Sequence, residues 1–463
     1  MFNKIIKSVL VGVCMLSLGS MVHAVEIDLN VYGASAQYTF WSNEDGAFLQ
    51  GIGCNAADIY KSTNGSNQTV TFCAGTDGAI TDSTGKNYVG GGINASGAIA
   101  ALAAEQGDTL VLRYASKASY DGIYALMGQD PYATNSPDSA APACVPTPNG
   151  CAANQRQLAE PSTSTFASFP AAGVVGALGC EPIYAAASDV AATTFNQVST
   201  GVVNGPAGGC PVNGRVVAPI DPPDQRTVAP ITVPGTYTHV SKLIVPFALW
   251  VNTSLTPANL GANAGVWDIS SNVTRLQAIQ LFSGTISDWS QIGVTANVTP
   301  IVICHRHAGS GSLATLDAAI MRGDESSDTN QTAYVVGVSP TIWTNDGTSQ
   351  ELSCVSTQAN SIGYADADHS VPANTKQTDY MGAAATSQNL KLGIYDYWTN
   401  EELYYTTNAG NTNHLNAAQT AVMNQLVSFI SVDANMPASE AAFWATPGTM
   451  GVSKQTDFQY PHR

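Results

Sequence analysis

The residues of this chain whose types and spacing point to chemistry are Arg306, Ser310 and Ser312, in the stretch Ile301 to Ser312, IVICHRHAGSGS. Ile301 and Ile303 read as a short buried strand with Arg306 near its end. Gly309-Ser310-Gly311-Ser312 gives a turn suited to small residues. Leu313, Leu316 and Ile320 then recur at helical spacing, with Gly323 as the expected stop. A strand, a glycine turn and a helix start gather free backbone N–H groups and the positive end of a helix dipole at one place. Two hydroxyls and a guanidinium fork complete what is needed to hold an oxyanion. The same Gly-Ser-Gly also serves as an ordinary strand-to-helix connection.

Two other chemistries compete at this stretch. His305 and His307 lie two apart on the strand and face one way, so they could grip a metal, but no third ligand is visible nearby. Polar strand-edge histidines are the plain alternative, and no metal or cofactor is expected. A serine hydrolase would place Gly-x-Ser-x-Gly here, yet Ala308 stands where the first glycine belongs. An enzyme is not expected.

The chain that must position these residues has 463 of them. Residues 1–24 read as a cleaved secretory signal: Lys4 and Lys7, then the apolar run Val9–Leu18, then Val22-His23-Ala24, with cleavage after Ala24. Removing that segment takes two lysines from 17 basic residues and leaves 34 acidic ones, a formal −19. Such a surface argues against nucleic acid as a partner. It does not decide the sign of a small ligand, because charge is screened within about 10 Å at ordinary salt. No later apolar run would anchor the chain in a membrane, so a periplasmic or secreted protein is expected. Eight cysteines remain after processing, and nearest-neighbour pairing gives Cys54–Cys73, Cys144–Cys151, Cys180–Cys210 and Cys304–Cys354. The last pair would brace the Arg306 loop.

The first mature elements repeat the strand, small-residue turn and helix pattern. Ile27, Leu29 and Val31 alternate with polar residues and lead into Tyr32-Gly33-Ala34-Ser35-Ala36-Gln37-Tyr38. Leu110–Tyr114 is a strand, and Ser119–Gly122 is a turn before a helix face of Ile123, Leu126 and Met127. Lys117 nearby reads as a solvated surface residue. Residues 131–172 and 202–234 are rich in loop-forming residues and read as insertions, the first clipped by a small disulfide loop. Between them, Ala187-Ser188-Asp189 ends in a carboxylate suited to capping a helix that begins at Val190. Leu243–Asn252 is a nearly all-apolar run, as expected of a strand buried on both faces. Leu276, Ile279 and Phe282 form a helical stripe followed by Gly284, Trp289, Ile292 and Gly293. Ser361-Ile362-Gly363-Tyr364 is a further strand, and Asn416 to Ile430 an amphipathic helix.

In this order the motifs resemble the phosphate-binding proteins of bacterial ABC importers. The match runs from about Asn30 to the C-terminal region, interrupted by the two insertions. The resemblance implies a type II periplasmic binding fold: α/β, with mixed sheets flanked by helices and a cleft between two lobes. One lobe would be residues 25–246 plus 372–463, the other residues 247–371. Carried onto this chain, the phosphate ligands would be Ala36, Gln37 and Tyr38 of the first loop and Ser119. Asp189 and Arg306, with Gly309, Ser310, Gly311 and Ser312, would complete the set. Asp189 would accept a proton from the bound anion. That role favours phosphate, which keeps a proton near neutral pH, over sulfate, which does not. The family also implies uptake through an inner-membrane ABC permease. Two departures stand out: Gln37 replaces a threonine, and Ala308 replaces the aspartate that holds the family's arginine. The alternative is an extracellular surface or matrix protein that keeps the scaffold with weakened or lost anion binding.

Overall fold

The computed structural model describes residues 26–64, 67–73, 80–81, 87–88, 109–129, 151–199, 202–203, 226–260, 268–293, 301–322, 341–345 and 347–463. The signal segment, Cys144, Cys210, Gly323, residues 131–150 of the first insertion and most of the second lie outside them.

One mixed sheet carries the fold. The strands named here are β1 (Glu26–Gly33), β2 (Ile59–Thr63), β3 (Gln68–Cys73), β4 (Thr109–Ser116), β5 (Gln155–Ala159), β6 (Leu178–Pro182) and β7 (Ala185–Ser188). They continue as β8 (Thr238–Asn252), β9 (Val302–Arg306), β10 (Thr341–Asn345), β11 (Ser361–Asp366), β12 (Thr375–Tyr380) and β13 (Trp398–Tyr405). Inward from the short Val202–Val203 strand that pairs with β10, the path runs β10, β9, β11, β8, β13, β7, β1, β4, β3, β2. β1 is parallel to both β7 and β4, and β9 is parallel to β10 and β11. Parallel neighbours need crossover connections, which is why the helices follow the strands they do. Helix α1 (Tyr38–Gly51) follows β1, and α2 (Ser119–Leu126) follows β4. In the second half, α3 (Arg275–Phe282) precedes β9, α4 (Gly311–Leu316) follows it, and α5 (Thr348–Thr357) leads into β11. Near the C-terminus, α6 (Ala417–Phe429) packs on β1.

The all-apolar run extends further than its sequence suggests. β8 is 15 residues long and buried throughout Leu243–Asn252. Its first half pairs antiparallel with β13 at Thr238–Pro246, and its second half lies between β11 and β12. Ten consecutive buried residues mean that both faces are covered, which explains why it carries apolar residues without alternation. The tryptophan of the helix-loop unit behaves as a packing residue. Trp289 is fully buried, and its Nε1 donates to the Asn360 carbonyl at 2.8 Å. The last amphipathic helix is capped by Asn416, whose side chain and that of Gln419 satisfy each other's backbone N–H groups.

Three expectations need correction. Ser119 is not in a turn: it is the first residue of α2. The described part of the first insertion is not a clipped loop, since β5 pairs antiparallel with β6 and Ala167–Ser168 pairs with β2. The disulfides differ for the same reason. Cys54–Cys73 and Cys304–Cys354 are bonded, but Cys151 bonds Cys180 rather than Cys144, which also removes Cys180 from Cys210. The β5–β6 ladder sets Cys180 opposite Gln157 and brings the Cys151 and Cys180 α-carbons to 5.3 Å. Strand pairing, not sequence proximity, decides which sulfurs meet.

Candidate functional site

The ends of β1, β4, β7 and β9 point their following turns at one place. β1 and β7 are held together beyond their last residues, because the Ala34 N–H donates to the Ala187 carbonyl at 2.9 Å. β4 delivers Ser119 to the same end, where its hydroxyl accepts the Asp189 N–H at 3.3 Å. β9 brings in the Gly-Ser-Gly turn. Gly309 takes φ of 89°, a left-handed conformation that glycine adopts without strain, and its carbonyl accepts the Tyr120 N–H at 3.2 Å. Gly311 then approaches so closely that a β-carbon there would collide with Ser119 Oγ and Asp189 Oδ2 and sit 2.7 Å from Asp189 Cβ. Ser119, Asp189 and the Gly309–Ser312 turn therefore share one buried spot.

Its polar groups are poorly satisfied. Asp189 is wholly buried, and among the described residues neither carboxylate oxygen has a hydrogen-bond partner of good geometry. It caps no helix: the short turn that follows starts at Ala192, with Ala191 at its N-cap. Burial pushes its pKa from 3.8 to about 7, with Asp366 adding to the rise. Arg306, the Glu401 side chain and the Ala36 N–H act in the opposite direction. Ser310 stands at the N-cap of α4 with its hydroxyl buried and without a partner among the described residues. Buried polar atoms are nearly always paired, so several orphans converging on one point mark a place where something else supplies the partners.

Arg306 is 1% exposed. Its Nη1 lies 3.0 Å from Thr348 Oγ1, 3.3 Å from Ser312 Oγ and 3.4 Å from Ser35 Oγ. Ala308 stands two residues after Arg306, and α5 places the Thr348 hydroxyl against the guanidinium. Thr348 opens that helix and Glu351 lies one turn on, its carboxyl buried and raised well above the usual range by desolvation, with Arg306 opposing. Cys354, on the same helix, is bonded to Cys304 of β9, so the strand carrying Arg306 and the helix supporting it are covalently joined. Thr348, Glu351, Asp366 and Glu401 were not singled out from the sequence, because nothing local to them resembles a loop or a motif.

The first loop contributes differently from its expected role. The Ala36 N–H is close enough to lower the Asp189 pKa. Gln37 is buried and donates from Nε2 to Glu401 Oε2 at 2.8 Å, while its Oε1 accepts from Trp41 Nε1 at 3.2 Å. It fixes a carboxylate rather than facing an anion. The Tyr38 hydroxyl turns to Thr63 Oγ1 at 2.5 Å, and its backbone N–H donates to the Ser35 carbonyl. The histidines are held within the fold, though His305 Nε2 is buried without a partner among the described residues. His305 Nδ1 pairs with the Tyr364 hydroxyl at 2.5 Å, and burial pushes its pKa down to about 3. His307 Nδ1 lies 2.7 Å from the Ala308 carbonyl oxygen. Both are buried rather than at a strand edge. Among the described residues no three His, Cys, Asp or Glu side chains are grouped to hold a metal. None of the described helices is long and apolar enough to cross a membrane.

Residues 235–422 match the family model of the PBP superfamily domain, which agrees with the mixed α/β architecture and with the motifs of the second half of the chain. Among solved structures, the chain is similar to an ABC-type phosphate transport receptor from Vibrio cholerae. Identity is 18% over 44% of this chain and 69% of that one, with a TM-score of 0.31. It is also similar to a putative phosphate ABC transporter substrate-binding protein from Clostridium perfringens, solved with bound phosphate. There the identity is 19% over 41% and 65%, with a TM-score of 0.31. The chain thus spans about two thirds of the length of these two. A third likeness, to the periplasmic phosphate-binding protein PfluDING bound with phosphate, covers 90% of this chain and 89% of that one at 12% identity and a TM-score of 0.43.

Proposed function

We propose that this chain is an exported solute-binding protein that holds inorganic phosphate between two lobes, for uptake through an ABC permease. In this reading β8 and β11 are the crossing strands. The phosphate oxygens meet Arg306, the hydroxyls of Ser119, Ser310 and Ser312, and the N–H groups at the start of α4. The observation that carries the reading is the unsatisfied set at that point: both Asp189 oxygens and the Ser310 hydroxyl, beside a buried guanidinium. An oxyanion carrying one proton answers the hydroxyl, the guanidinium and one of the two carboxylate oxygens. Its oxygens accept from Ser310 and Arg306, and its proton is donated to Asp189.

Calorimetric titration of ligand-stripped protein with phosphate tests this directly. Arg306→Ala should weaken binding by roughly 2–3 kcal/mol, the scale of a lost charged partner. Phosphate affinity that is absent in the wild type, or unchanged in the variant, would refute the site.

A further inference from the structure

A cavity of about 520 Å³ begins one residue layer outside Arg306. Ser35 and Thr348, the two hydroxyls against the guanidinium, form its inner wall and are 3.0 Å from each other. A substituent on an anion held at Arg306 would enter the cavity by parting them. The cavity wall carries Asp366, Asp368 and Glu440, together with Lys117 and His369. Asp366 is 3% exposed and its Oδ1 has no hydrogen-bond partner, while the Thr348 hydroxyl stabilises the charged form of its carboxyl. Asp368 Oδ1 accepts the Trp444 indole N–H at 2.9 Å, and its Oδ2 has no partner. Desolvation holds both carboxyls above their usual range, Asp366 adds repulsion at Asp368, and His369 opposes the rise at Asp366. Two half-satisfied carboxylates on one wall call for a group that only donates hydrogen bonds and carries positive charge. An ammonium has three donors and no acceptor. Among the described residues a metal-holding cluster is absent from this wall as elsewhere.

We propose that the anion site takes a phosphoryl compound bearing an ammonium group, a phosphomonoester or phosphonate, with its phosphoryl end at Arg306 and its ammonium against Asp366 and Asp368. The proposal rests on the anion-binding reading of Arg306 and narrows it to a ligand class. Because Thr348 touches Arg306 and acts on Asp366, one hydroxyl separates the two ends, and a short alkyl linker spans them.

The test is calorimetry on the full chain, just below neutral pH, with inorganic phosphate, O-phosphoethanolamine, glycerol 3-phosphate and ethanolamine as separate probes. O-phosphoethanolamine should bind ~10- to 100-fold more tightly than glycerol 3-phosphate, the range of one charge-assisted hydrogen-bonded pair. Asp368→Asn, and separately Glu440→Gln, should narrow that gap while leaving inorganic phosphate affinity unchanged. Unchanged phosphate binding also shows that the variants fold. If phosphate binds but the two esters bind alike, or neither ester binds, this inference fails and the phosphate reading stands. If ethanolamine alone binds as tightly as its phosphate ester, the cavity acts apart from the anion site and the inference also fails. If none of the probes binds, both readings fall.

Discussion

Replacing Asp189 by asparagine should make the ligand-free protein more stable at alkaline pH, even though it removes a group of the proposed site. The carboxyl is fully buried, and burial moves its pKa from 3.8 to about 7. The folded state therefore holds this proton more tightly than the unfolded chain does. Its stabilising effect is complete below pH 3.8 and is lost as pH rises to about 7. At about 1.4 kcal/mol per pKa unit, the loss above that range is about 4 kcal/mol. Asparagine keeps the shape and never ionises, so it avoids the loss. Denaturant unfolding of the ligand-free wild type and Asp189→Asn across this pH range would show a gap that opens from acid to alkaline pH, the variant being the more stable. Added phosphate should restore the wild type by mass action. A variant that is less stable at every pH would show that the carboxylate is a satisfied structural acceptor, and the argument from its orphan oxygens would be wrong. A gap independent of pH would refute the assigned ionisation.

In the proposed site the same carboxylate would set anion selectivity. Phosphate should outbind sulfate by a margin that widens as pH rises past about 7, since ionised Asp189 accepts a proton that sulfate lacks; competition titrations on either side of that pH check it. Gly311→Ala should abolish phosphate binding and cost about 1–3 kcal/mol of stability, because the added carbon overlaps Ser119 and Asp189. Retained affinity in calorimetry would place Gly311 outside the site. Replacing Cys304 and Cys354 by serine opens a link across a sequence separation of 50, worth about 4 kcal/mol by loop entropy, and should also weaken phosphate binding. Urea unfolding and titration of the double variant measure both effects.

What could be read from the sequence was local. The Arg306 turn, Ser119, Asp189 and the buried run in β8 each announce themselves within a dozen residues, through small-residue turns or unbroken apolar character. The supporting shell could not be read that way. Thr348 and Glu351 reach Arg306 from a helix with an ordinary polar sequence, and Glu401 meets Gln37 across 364 positions. Gln37 illustrates the difference. A loop position suggested a ligand, while the tertiary neighbour Glu401 claimed its side chain. Asp189 looked equally suited to capping a helix, and only the absence of a helix at Val190 separates the two roles. Nearest-neighbour disulfides failed at Cys151 because a weakly patterned hairpin brought a more distant cysteine closer.

The sheet order has a consequence for how the protein comes to be folded. The strand leading to Asp189 is β7, whose two edges are covered by β1 and β13. These partners lie at opposite ends of the chain, residues 26–33 and 398–405. Loop closure over such separations is slow, and the central ladder cannot be completed until almost the whole polypeptide is available. Asp189 therefore acquires its buried environment late, when β13 also delivers Glu401 beside it. Before then β7 has an open edge, and the carboxyl remains in water with an ordinary affinity for its proton. Any anion discrimination by this carboxyl would thus be among the last properties the nascent molecule gains, and it would depend on a strand, β13, that meets the helix after the glycine turn through Thr399 and Thr315.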